Sequence, residues 1–86
     1  MEEKELYRLL GFVKISPYRT NILKSINGSV KMPSEIANEL GIKTSRVSAT
    51  LSFLKKEGLV VCLNEDVRKG RLYKCTDKAI ELLEYI

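Results

Sequence analysis

Lys43, Arg46, Lys55 and Lys56 lie in a run that holds no acidic side chain, and Arg68, Lys69, Arg71 and Lys74 lie in a second such run, Val67–Thr76. The two ends of the chain carry the opposite sign: Met1–Glu5 and Asp77–Ile86 each sum to −2. A net charge of +4 would mean little if it were spread evenly. Clustered bases with the acids kept elsewhere suit a phosphate backbone, although two solvated basic faces would look the same by charge alone. Beside Lys43 and Arg46, the segment to Ser52 carries short polar side chains, Thr44, Ser45, Ser48 and Ser52, and no carboxylate.

Other chemistry is poorly supplied. With no histidine and only Cys62 and Cys75, one chain cannot assemble a four-thiolate or a mixed Cys/His zinc site, so no metal and no cofactor is expected. There is no glycine-rich phosphate loop and no carboxylate pair in an expected cleft, so an enzyme is not expected. The two cysteines read as small apolar residues with free thiols. A hairpin loop centred near Arg68-Lys69 would set them opposite one another, with Cys75 facing the core beside Tyr73. No apolar run reaches the ~18 residues needed to cross a bilayer, and the acidic start does not resemble a leader, so the expectation is a cytoplasmic protein.

The elements that position these residues follow from hydrophobic period and punctuation. At 86 residues the chain has room for one domain, 1–86. A first helix, Glu2–Leu10, sets Leu6, Leu9 and Leu10 on one side and is closed by Gly11. Ser16 caps a second helix with Pro17 at its first position, and Asn27-Gly28 ends it. A linker follows, with a short strand expected around Val30. Pro33–Leu40 is the third helix, with Ile36, Ala37 and Leu40 inward, ended by Gly41. Thr44 is read as the cap of a fourth helix running to about Glu57, with Val47, Leu51 and Leu54 as its buried stripe. After Gly58 the period changes. Leu59–Leu63 and Arg71–Cys75 read as strands around a basic tip, and Thr76 caps a last helix.

The order helix-helix-helix-helix-wing-helix is a mostly α fold with a small β-hairpin, the winged helix-turn-helix. Ala37-x3-Gly41-x5-Val47 carries the turn: a small residue where two helices cross, a glycine for the left-handed exit, and a β-branched residue pointing back into the angle. Burying Val47, Leu51 and Leu54 turns Lys43, Thr44, Ser45, Arg46, Ser48, Ala49 and Ser52 outward, a slim face without carboxylates that suits the major groove. Arg68, Lys69 and Arg71 around the wing tip are expected on the phosphates or in the minor groove. Arg19 is expected on a phosphate near the second helix's N-terminus, with Tyr18 either assisting it or packing.

The segments KMPSEIANELGIKTSRVSATLSFLKKEGLV and CLNEDVRKGRLYKCTDKAIELLEYI resemble winged-helix regulators of the ArsR and MarR types, especially a small archaeal form. The resemblance implies a homodimer that binds palindromic operators through the fourth helix and the wing. It does not extend to metal sensing, since the Cys-x-Cys pair and the His/Asp pairs of the metal sensors are missing, and any small-molecule effector is unspecified. The apolar arcs of the terminal helices, about 1–11 and 76–86, each span about 160° and exceed the ~100° that a one-sided contact needs. Leu6, Leu9, Leu10, Ala79, Leu82, Leu83 and Ile86 are therefore the expected dimer interface. The rival reading is a winged helix for protein–protein contact in a larger transcription assembly, and Phe53, lying off the buried stripe, is the residue that leans toward it.

Overall fold

A computed structural model describes residues 1–86. Helix α1 is Glu3–Lys14, α2 is Pro17–Ile26, α3 is Pro33–Leu40 and α4 is Thr44–Lys56; strands β1, Val60–Cys62, and β2, Tyr73–Cys75, precede α5, Asp77–Leu83. Four of the expected boundaries hold for the reasons given. The Ser16 hydroxyl accepts from the Arg19 amide at 3.4 Å, and Asn27 ends α2 as its C-cap. Gly41 leaves α3 at φ +68°, and the Thr76 hydroxyl accepts from the Ala79 amide at 3.3 Å.

Three helix boundaries differ, and one is the end of α5, which stops at Leu83 instead of running to about 86. Gly11 does not close α1 but lies inside it, because Val13 falls four residues after Leu9 and both are fully buried. Burying a valine is worth ~1.5–3 kcal/mol, more than the ~1 kcal/mol that an internal glycine costs. Thr44 is not the cap of α4 but its first residue. Lys43 takes the cap position, and its carbonyl accepts from the amides of Arg46 and Val47 at 3.0 and 3.2 Å.

The strands pair antiparallel with Val60 opposite Cys75 and Cys62 opposite Tyr73, so the expected pairing of Cys62 with Cys75 is off by two positions. The loop sets this register. Leu63 donates to the Leu72 carbonyl at 2.8 Å, and the Asn64 side chain then accepts from the Leu72 amide at 2.8 Å, ending the ladder there. Cys75 is buried beside Tyr73 as expected, Cys62 is half-buried, and both thiols are free. The strand anticipated near Val30 is a single antiparallel bridge between Lys31 and Tyr73, closed by amide-to-carbonyl bonds of 3.1 and 2.9 Å.

All five helices and both strands send side chains into one core. Val47, Leu51 and Leu54 of α4 are fully buried, and Ala37 lets α3 cross α4. Leu40, expected inward, is only half-buried. Thr50 is buried although its type did not suggest it, and its hydroxyl is satisfied by donating to the Arg46 carbonyl at 2.8 Å. The terminal helices pack against the same core, and an ion pair between Glu5 and Lys78 ties them together. Leu9, Ala79 and Leu82 therefore depart from the dimer-interface expectation: each is fully buried within the protomer and has no surface left for a partner. Leu6, Leu10, Leu83 and Ile86 are half-buried, while Tyr7 and Tyr85 are exposed. No helix is long and apolar enough to cross a membrane.

Candidate nucleic-acid interface

Packing α4 by Val47, Thr50, Leu51 and Leu54 fixes its rotation and turns the other side to solvent. Lys43, Thr44, Ser45, Arg46, Ser48, Ala49 and Ser52 are all exposed, as their spacing requires. The wing brings a second set beside them. Arg68 and Lys69 are exposed at its tip, and a cleft of about 360 Å³ lies between wing and helix. Thr44, Ser48 and Ser52 line one wall and Arg68, Lys69 and Gly70 the other, with Ser34 of α3 at the edge. No carboxylate lines this cleft.

The wing tip is a folded loop. Asn64 accepts from the Leu72 amide and donates to the Gly70 carbonyl at 3.1 Å, bracing the loop from inside. Gly70 sits at φ +74°, where a side chain would be strained. Glu65, an acid that would weaken a phosphate site, is paired with Lys55 at the end of α4.

The arginines separate into two kinds. Arg71 lines the same cleft and is also bonded within the wing: its Nε donates to the Val67 carbonyl at 2.7 Å and an Nη to the Glu65 carbonyl at 3.2 Å. Its guanidinium holds the wing in shape. Arg19 is likewise bonded within the protomer, donating to the Phe12 carbonyl at 2.8 Å and stacking on the Phe12 ring at 4.1 Å. Arg8 pairs with Glu57 at 2.9 Å. Arg46 and Arg68 carry no such bond. Both are exposed with no hydrogen-bond partner: Arg46 lines a groove along α4 with Lys43, Ser45 and Ala49, and Arg68 lines the cleft between α4 and the wing.

A family model described as the bacterial regulatory protein arsR family matches residues 16–61, from the cap of α2 into β1. The chain belongs to that family. Among solved structures, the ArsR-family fold seen here is similar to HlyU from Vibrio cholerae, with TM-score 0.73 and 18% identity over 99% of this chain and 92% of that one. NolR from Sinorhizobium fredii gives TM-score 0.73 and 24% identity over 96% and 82% of the two chains. A domain from Mycobacterium bovis, described as a homodimeric winged helix-turn-helix DNA-binding domain and a possible ArsR-family transcriptional regulator, gives 0.71 and 22% over 99% and 82%. The chain spans about half the length of a similar ZitR variant from Lactococcus lactis, 49% of it, at TM-score 0.72 and 20% identity. No curated protein matches by sequence. These likenesses carry the winged helix-turn-helix architecture, and the family match carries the ArsR part of the sequence resemblance.

The ArsR-family chain also holds contacts that the sequence did not reveal. Asn64 as the brace of the wing could have been found, since an Asn ahead of a polar loop often folds its side chain back on the backbone. The stack of Arg46 on the Tyr18 ring, at 4.6 Å, had no such signal. Phe53 is 55% exposed, off the buried stripe as expected, and has the Arg19 guanidinium 5.8 Å from its ring.

Proposed function

We propose that this ArsR-family chain is a sequence-specific transcription regulator that binds double-stranded DNA as a homodimer, with α4 in the major groove and the wing on the flanking backbone. The observation that carries the reading is the sorting of the arginines: of the two that make no hydrogen bond, Arg46 lines a groove along α4 with Lys43 and Arg68 lines the cleft between α4 and the wing with Lys69, and no carboxylate lines either. Thr44, Ser45, Ala49 and Ser52 keep the α4 face slim enough for a groove, and Ser48 lies where it meets the wing. Arg68 and Lys69 supply position, while Arg46 is the side chain best placed to read a base. The whole chain acts as one domain, and Leu6, Tyr7 and Leu10 of α1, Leu83 of α5 and Ile86 just beyond it face the second copy. The homodimeric description of the Mycobacterium bovis domain supports that assembly. A protein of this kind works in the cytoplasm, where the DNA is.

Binding to random duplexes across a salt series tests the reading. Lys69→Ala should weaken specific and random DNA alike and lower the salt slope by about one. Arg46→Ala should cost ~1–3 kcal/mol on a selected site and relax one base pair. A parent protein that ignores duplex DNA at low salt would sink the reading and favour a protein-docking face around Phe53.

A further inference from the structure

Two neighbouring residues of α2, Tyr18 and Arg19, each take part in an arginine–aromatic stack. In one, Arg19 lies on the Phe12 ring at 4.1 Å, and its edge is filled by the Phe12 carbonyl at 2.8 Å. In the other, Arg46 lies over the Tyr18 ring at 4.6 Å, and its edge meets no acceptor. A ring that takes the flat face of a guanidinium leaves the N–H groups of its rim free, and bidentate pairing with a guanine uses that rim. Beside this stack runs an open groove of about 610 Å³ lined by Tyr18, Ile42, Lys43, Ser45 and Ala49, with no carboxylate in it. Tyr18 is 39% exposed, and it is the backbone carrying the ring that is fixed. Tyr18 follows Pro17 at the start of α2, where the Ser16 cap fixes the first turn.

We propose that Tyr18 is a positioning residue for base selectivity, which holds the Arg46 guanidinium in one plane so that its free rim faces a guanine edge. The proposal rests on the DNA-binding reading above. Arginine carries large rotamer freedom, and a side chain ordered before DNA arrives loses less of it on binding. Tyr18 acts through Arg46 and needs no contact of its own with DNA. Its hydroxyl is dispensable.

The test is selection of bound sequences from random duplexes by the parent, Tyr18→Phe, Tyr18→Leu, Arg46→Ala and the Tyr18→Leu/Arg46→Ala double variant, each first shown to melt cooperatively. The parent and Tyr18→Phe should prefer the same guanine, and Tyr18→Leu should lose about tenfold of that preference while its salt slope stays unchanged. In the Arg46→Ala background Tyr18→Leu should change nothing further. Unaltered guanine preference in Tyr18→Leu overturns the proposal and leaves the DNA-binding reading intact. So does a loss in Tyr18→Leu that persists without Arg46, or a loss in Tyr18→Phe, since either gives the tyrosine a contact of its own. A parent that selects nothing fails the underlying reading, and the proposal with it.

Discussion

Residues of one type take different roles here according to what the fold leaves for them to bond. Cys75 shows this through its thiol, which burial pushes up to about 11, while its Sγ lies 3.6 Å from the Leu23 carbonyl. The unfolded chain loses this proton near the ordinary value of 9.0, and the folded chain keeps it until about 11. The contribution is therefore complete below pH 9 and is lost as pH rises toward 11, at no more than ~1.4 kcal/mol per unit. Urea melts of the parent should weaken across that window more steeply than those of Cys75→Ala; equal slopes would contradict it. At neutral pH an alkylating reagent should take Cys62 first and Cys75 only on unfolding. Sequence reading found the inward direction of Cys75, because strand alternation alone decides it. The same reading could not separate Arg71 and Arg19 from Arg46 and Arg68. Which guanidinium meets a backbone carbonyl depends on chain segments brought together only by the fold.

Local rules settle most of the elements. Leu51 is the centre of the α4 stripe and is fully buried. Leu51→Ala should cost ~2–5 kcal/mol through lost transfer energy and a cavity, measured by denaturant melts. A loss below ~1 kcal/mol would require α4 to be rotated. Because the stripe and the candidate DNA face are opposite sides of one helix, such a rotation would also withdraw the interface. Helical period placed all five helices and the Ala37–Gly41–Val47 turn. It missed the end of α1, where Val13 outweighed Gly11, and it missed the hairpin register, where Asn64 replaced a ladder bond. In the first case core packing overrode a local signal, and in the second a side-chain bond inside the loop did.

At the scale of the whole molecule, the apolar excess of the terminal helices divides into what the protomer uses and what it leaves. Leu82 belongs to the first group, so Leu82→Glu should unfold the domain rather than separate two copies. Tyr7, 64% exposed on α1, belongs to the second. Light scattering of the parent at micromolar concentration should give twice the 9.8 kDa chain mass, and Tyr7→Glu should give one folded chain mass with much weaker operator binding. A single-chain mass for the parent, with and without a palindromic duplex, would remove the dimer. Operators selected by the parent should be inverted repeats with half-site centres about 10–10.5 base pairs apart or a multiple of that.

The bridge between Lys31 and Tyr73 has a dynamic consequence. It joins the segment that leads into α3 to the inner strand of the wing, and Tyr73 is itself buried in the core. The wing cannot peel away without breaking two backbone bonds and exposing that ring, and the same event loosens the entry to α3. Helix-turn-helix and wing should therefore open together, and hydrogen exchange should show their protected amides as a single foldon; wing amides that exchange well ahead of those of α3 would contradict this.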